Sequence, residues 1–202
     1  MEDTSISIVN PGIDPMPVKT NYPFLPEKLL CVSNLCPNKN QLMLLHVLNR
    51  MKNLNWTLTL AGSPDMDPGY TFQIKQFLKE NNLQKRVHLI GSVQGSILHD
   101  IYTNADLFLF PGKFETYGMV IAEALATGLP VLAYASEGIK LNFGNHSLCY
   151  FQNEEDLEMS LKELLTNTDS YAKIQTAASH HPVFSSWEIA GKEFLQILRR
   201  FL

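Results

Sequence analysis

The chain is poor in cysteine. Cys31, Cys36 and Cys149 are the only three, odd in number and in no metal-ligand spacing, which argues for reduced thiols and against a disulfide framework. Positive charge is not in excess either: 16 Lys and Arg against 20 Asp and Glu leave a net charge of -4 and a pI near 5.8. That balance excludes a general nucleic-acid binder. No apolar run approaches the roughly 18 residues needed to cross a bilayer. Met1-Glu-Asp-Thr-Ser5 has neither the basic region nor the apolar core of a signal peptide, so the expected setting is cytoplasmic. Internal repeats and low-complexity tracts are absent. The adjacent His180-His181 would point its rings apart, which suits a surface better than a metal site. Asn55-Trp-Thr57 and Asn145-His-Ser147 match the glycosylation acceptor pattern, which carries weight only in a secreted protein.

What is present suits one large globular domain: 202 residues, 45% hydrophobic and 18% charged. Short β-rich apolar runs at residues 28–32, 56–61, 86–90, 106–110, 131–133 and 147–151 read as strands. Between and after them, helical spacing covers 41–51, 70–81, 96–105, 118–127, 154–167, 170–179 and 187–202. Strands alternating with helices imply right-handed crossovers and a Rossmann-like α/β domain, with a parallel sheet and helices on both faces. Residues 5–9, Ser-Ile-Ser-Ile-Val, read as a further short strand, and 15–27, with four prolines, as an extended connector. The expected division is therefore 1–27, short strand and interdomain linker, and 28–202, the main domain with its C-terminal helices.

The most informative stretch is residues 111–134. Leu107-Phe-Leu-Phe110 looks like a strand buried on both faces, and Pro111-Gly112 stops it. A helix follows from Gly118, ending at Gly128-Leu-Pro130. Glu115 lies in the loop, and Glu123, in the helix, is the only charged residue between Glu115 and Glu137. An ionised carboxylate on so apolar a helix is costly unless something polar faces it. The amides of Gly118, Met119 and Val120 have no partner within the helix and lie at its positive end. That place suits an anion such as a diphosphate, with Gly118 allowing close approach. A carboxylate one to two turns deeper could accept hydrogen bonds from a vicinal diol, as in dinucleotide folds. The pattern suggests a nucleotide-sugar site. The plainer alternative makes Glu115 a solvated loop charge and Glu123 a helix-dipole partner.

Glu115-Thr-Tyr-Gly118-Met-Val-Ile-Ala-Glu123-Ala-Leu-Ala-Thr-Gly128-Leu-Pro130-Val131 resembles the Glu-x7-Glu signature of retaining glycosyltransferases of the two-Rossmann-domain (GT-B) architecture, most closely family 4. The resemblance implies that Glu115 contacts the donor sugar and that the backbone of Tyr117, Gly118, Met119 and Val120 holds sugar and diphosphate. It implies that Glu123 binds the ribose hydroxyls. Ser33-Asn34-Leu-Cys-Pro-Asn-Lys39 resembles the family's Gly-Arg-Leu-x-x-x-Lys segment, with Lys39 at the phosphate-binding lysine and Asn34 in place of the arginine. The resemblance also implies that the loop of Gly62 faces the donor, and Gly91-Ser-Val93 resembles the turn that holds the base. By the same resemblance Glu115 and Lys39 are the catalytic candidates, and no metal or cofactor is expected. The donor would be a UDP-sugar or GDP-sugar.

Asn10-Pro-Gly-Ile-Asp14 resembles the family's interdomain junction, which implies an acceptor-binding half preceding this one and any peripheral membrane association through that half. Leu141 stands where a glutamate is common. Asn34 and Leu141 favour an alternative, a non-catalytic binding module or subunit that retains the fold. A sugar-nucleotide epimerase or a phosphorylase of the same architecture fits the motif less well.

Overall fold

The computed structural model describes residues 6–144, 148–179 and 184–199. His180-His181, the Asn145 acceptor pattern, Ser5, Ser147 and the last residues of the C-terminal helix reading lie outside them. In chain order the elements are β1 (Lys28–Val32), α1 (Gln41–Arg50), β2 (Thr57–Ala61), α2 (Pro68–Glu80), β3 (Val87–Gly91), α3 (Gly95–Asn104) and β4 (Leu107–Phe110). There follow α4 (Met119–Ala126), β5 (Val131–Tyr134), α5 (Glu137–Phe143), β6 (Cys149–Phe151), α6 (Glu154–Thr166), α7 (Thr168–Ser179) and α8 (Trp187–Leu198).

The strands form one six-stranded sheet in the order β3-β2-β1-β4-β5-β6, every pairing parallel. Side chains alternate across it. Leu29, Cys31, Leu58, Leu60, Leu107, Leu109 and Leu132 join α1, α2 and α6 in one core. Leu30, Phe108, Phe110, Val131 and Ala133 join α3, α4 and α5 in the other. A sheet covered on both faces explains strands that read as unbroken apolar runs. Asp67 caps α2, accepting from the Tyr70 amide at 2.8 Å, and Asn153 caps α6, accepting from the Asp156 amide at 2.8 Å.

Two expectations fail. Residues 6–12 form no strand, and Ile6 and Ile8 are 88% and 83% exposed; the alternation is real, but no sheet edge lies beside it to bury one face. Residues 137–143 form a helix absent from the sequence reading, started by Ser136, whose hydroxyl accepts from the Ile139 amide. At α3 the cap is Gln94, whose side chain makes no capping bond.

The connector, 15–27, is extended and fastened to the main domain. Lys19 Nζ donates to Asp106 Oδ1 at 3.2 Å and to the Ala105 carbonyl at 2.5 Å, and the Lys19 amide donates to the Thr127 carbonyl at 2.8 Å. Asp106 Oδ2 accepts from the amides of Glu27 and Lys28, and Tyr22 donates to the Gly128 carbonyl.

Candidate functional site

In a doubly wound sheet the crevice forms outside the carboxyl ends of the strands where the strand order reverses. Here that point lies between β1 and β4, paired at Leu29 with Leu107 and Leu30 with Phe108. A cleft of about 400 Å³ opens beside it. Its walls include Ser33 and Asn34 after β1, Gly62 after β2, Ser92, Val93 and Gln94 after β3, Glu115 after β4, and Met119 and Val120 of α4.

Lys39 ends a 3-10 turn (Pro37–Lys39) in the loop after β1, and Asn40, at φ 56°, redirects the chain into α1. Its Nζ donates to Glu115 Oε2 at 2.9 Å and sits 5.5 Å from the Phe110 ring centroid. The two catalytic candidates, 76 residues apart in sequence, thus form one ion pair at the cleft. A second cleft, of about 640 Å³, shares Lys39 and Glu115 and extends past Lys113, Phe114 and Thr116 to Ser136, Glu137 and Gly138.

Gly118 is the N-cap of α4 at φ 91°. Its carbonyl accepts from the amides of Ile121 and Ala122, so the helix runs inward and leaves Met119 and Val120 facing the cleft. Gly118 itself is buried, and a Cβ there would lie 2.7 Å from Ile139 Cδ1. The glycine answers to core packing and to its positive φ, rather than to a ligand's approach. Gly62 is similar: a Cβ would meet the Ser33 carbonyl oxygen at 2.1 Å, because the loop after β1 crosses there.

Glu123 is half-buried one turn into α4, beyond Val120 on the side where α3 packs. The polar partner its burial demands is Tyr102 of α3, whose hydroxyl lies 2.8 Å from Glu123 Oε2. Burial pushes the Glu123 carboxyl above the ordinary carboxylate range; the Tyr102 hydrogen bond opposes that shift, Asp14 adds to it and His99 opposes it. Burial and the neighbouring carboxylate push the Tyr102 hydroxyl well above its usual value.

The structure thus brings Lys39, Asn34, Gly62, Val93, Glu115, Met119 and Val120 to one cleft. Gly91, Tyr117, Gly118 and Glu123 stand beside or beneath it and do not line it. Asn34 Oδ1 accepts from the Ser63 amide at 3.0 Å, so half of that side chain serves the loop. Sequence reasoning missed Gln41 and Tyr102. Gln41 is fully buried and donates from Nε2 to Ser33 Oγ and to the Asn34 carbonyl, both at 2.9 Å, bracing the cleft's first wall. A buried polar residue at a helix start carries a signal only once its loop partner is known. The chain has one Asp-x-Asp, Asp65-Met66-Asp67, and its Asp67 is engaged as the α2 cap. Among the described residues no group of three or more His, Cys, Asp or Glu could hold a metal ion, and no helix is long and apolar enough to cross a membrane.

Solved structures share this fold. A glycosyltransferase from Rickettsia africae superposes with a TM-score of 0.76 at 22% identity, over 86% of this chain and 47% of that one. Sucrose-phosphate synthase from Thermosynechococcus elongatus gives 0.78 at 19% identity, over 96% and 52%. Anabaena HepE in complex with UDP and glucose gives 0.72 at 20%, over 85% and 48%. The architecture is that of one half of a GT-B glycosyltransferase.

The chain belongs to the glycosyl transferases group 1 family, whose model matches residues 17–181. Among curated proteins it is 26% identical over 172 residues to mannosylfructose-phosphate synthase of Agrobacterium fabrum, covering 81% of this chain and 38% of that one. It is 27% identical over 180 residues to the phosphatidylinositol N-acetylglucosaminyltransferase gpi3 subunit of Schizosaccharomyces pombe, covering 88% and 38%. The chain thus spans about two-fifths of the length of these curated relatives.

Proposed function

We propose that this chain is the nucleotide-sugar-binding part of a retaining glycosyltransferase of family 4, which transfers a hexose from a UDP-sugar or GDP-sugar to an acceptor. The observation that carries the reading is the convergence of Lys39, Glu115 and the first amides of α4 on one cleft at the switch point of the sheet. A cation and unpaired helix amides stabilise the charge that grows on a departing diphosphate. In this reading Lys39 and the amides of Met119 and Val120 take up that charge, Glu115 contacts the donor sugar, and Glu123 accepts from the ribose diol. Asn34, Gly62 and Val93 shape the walls, and Gly91 and the backbone of Tyr117 and Gly118 support them from beside and beneath. The chemistry needs no bound metal or cofactor.

Residues 28–202 act as the donor-binding domain, with 1–27 leading from an acceptor-binding half. The share of its relatives that the chain spans supports this division, as does the exposed apolar face of α8, with Trp187, Phe194 and Leu195 each 53% exposed. On this reading the chain alone binds nucleotide and transfers sugar poorly or not at all, and any membrane association runs through the other half. Its acidic, cysteine-poor composition supports a cytoplasmic setting. The HepE complex with UDP and glucose supports the ligand class.

Thermal unfolding of the purified chain with UDP, GDP and ADP tests the reading. Ligand at a hundred times its dissociation constant adds about 2.7 kcal/mol if it binds only the folded form. Stabilisation by one nucleotide, lost in Lys39→Ala, is the expected result; no response to any of them would overturn it.

One observation favours a second reading, a non-catalytic module that keeps the fold. Asn34 replaces a cation with a neutral side chain already engaged at the Ser63 amide. Sugar transfer by the chain once it is joined to an acceptor-binding half would exclude that reading.

A further inference from the structure

We infer that Tyr102 is a positioning residue that holds the Glu123 carboxylate in the orientation from which it receives a ribose diol. This rests on the nucleotide reading of Glu123 proposed above. Tyr102 is 0% exposed, and its ring stacks on Phe108 of β4 with centroids 5.7 Å apart and an interplanar angle of 29°. The ring therefore has no freedom to turn away. Its hydroxyl reaches two acceptors, Glu123 Oε2 at 2.8 Å and the Val120 carbonyl at 3.2 Å. A phenol carries one proton, and the nearer, charged acceptor takes it. Oε2 is thereby committed, and Oε1 is left for a donor from outside.

A half-buried glutamate without such a partner samples several rotamers, and a ligand that binds it must fix them at an entropic cost. Tyr102 meets that cost in advance, from a helix that makes no other contribution to the cleft than its cap Gln94. The competing view is that Tyr102 only fills the core and satisfies its own hydroxyl. The two views differ in one measurable respect. A packing role affects every nucleotide alike, whereas a positioning role acts only on ligands that carry the hydroxyl Glu123 receives.

The test compares UDP with 2′-deoxy-UDP, and GDP and ADP with their 2′-deoxy forms, by titration calorimetry on the full chain. Loss of the orienting effect on one side chain corresponds to roughly a twofold to tenfold change. Tyr102→Phe, which keeps the ring, is expected to cut the preference for the ribonucleotide by that factor while 2′-deoxynucleotide affinity stays within about twofold. Glu123→Gln is expected to cut the same preference, and the two changes together to do no more than Glu123→Gln alone. If the wild type prefers the ribonucleotide and Tyr102→Phe keeps the whole preference, the positioning role is overturned and the reading of Glu123 stands. If the wild type binds a nucleotide without preferring ribose, the reading of Glu123 fails and takes this inference with it. Should Tyr102→Phe not fold, Phe108→Leu, which removes the stacked ring and leaves the hydroxyl, must lower the preference in the same direction or the inference falls.

Discussion

Lys39 and Glu115 neutralise each other at the cleft, Nζ 2.9 Å from Oε2, with the side chains 25% and 20% exposed. A dianionic ligand arriving there must compete with Glu115 for the cation, so the carboxylate that would contact a sugar also restrains Lys39 before one arrives. The pair orients two long side chains without closing the cleft. Because it is partly solvated, its contribution to stability is about 0–1 kcal/mol.

This separates binding from stability. Glu115→Gln should raise UDP or GDP affinity by roughly threefold to tenfold, since the freed lysine meets the diphosphate unopposed. Lys39→Ala should lower it by about tenfold or more. Neither change should move the urea midpoint by more than the pair's small worth. Calorimetric titration beside urea unfolding measures both, and a large loss of stability in either variant would make the pair a structural one.

Gly118 offers a contrasting prediction. At φ 91°, with Ile139 Cδ1 2.7 Å from where a Cβ would stand, Gly118→Ala combines backbone strain with a clash in the core shared by α4 and α5. The expected cost is about 2–3 kcal/mol, read from urea unfolding. A cost near zero would mean that α5 moves aside without penalty and that the glycine serves a ligand after all.

The contrast marks where sequence reasoning reaches. The strands of the sheet were legible because burial on both faces removes polar residues from them, and their parallel pairing followed from alternation with helices; the order β3-β2-β1-β4-β5-β6 was not legible. That Lys39, Glu115, Met119 and Val120 meet at one cleft was legible through the family motifs and the helix start after a strand, since the βαβ topology places the loops after the strands at one edge. The role of Gly118 was not, since a glycine at a helix start reads the same whether a ligand or Ile139 approaches it. Nor was Tyr102, because its partner Glu123 lies 21 residues away and meets it only through the packing of α3 on α4. Helix α5 escaped notice because Glu-Gly-Ile-Lys-Leu-Asn-Phe is seven residues long and carries a glycine, so its helicity depends on the Ser136 cap and on burial of Ile139 and Phe143.

Lys19 and Asp106 form the most deeply placed ion pair among the described residues, with side chains 7% and 9% exposed. Breaking a buried pair costs about 3–5 kcal/mol, because the remaining charge is stranded. Asp106→Ala should fall in that range, and Lys19→Met lower, since Asp106 keeps the amides of Glu27 and Lys28. Urea unfolding gives the cost. Limited proteolysis supplies a second reading: Lys19→Met should release residues 15–27 to early cleavage while the sheet persists, and a connector as resistant as in the wild type would show that Tyr22 and the Thr127 bond suffice.

Glu123 sets stability against binding through pH. Burial raises its carboxyl above the ordinary carboxylate range, Asp14 pushes the same way, and the Tyr102 hydroxyl and His99 pull it down. The folded state therefore holds this proton more tightly than the unfolded state does, so the carboxyl's contribution to stability falls as pH rises from the ordinary range through the raised value. Glu123→Gln removes that loss. At neutral pH the variant should be the more stable protein, and its advantage should vanish in acid, where both side chains are neutral. Nucleotide affinity should run the other way. The diol needs the ionised acceptor, so wild-type affinity should drop on acidification at a pH above that of an exposed carboxylate, whereas the variant's affinity should be lower at neutral pH and flat. His99 acts on the Glu123 carboxyl electrostatically, and His99→Gln beside each measurement separates its share. Paired urea-unfolding and calorimetric profiles against pH decide the matter, and a Glu123→Gln variant that is less stable at neutral pH with unaltered nucleotide affinity would make Glu123 a structural residue bound to Tyr102.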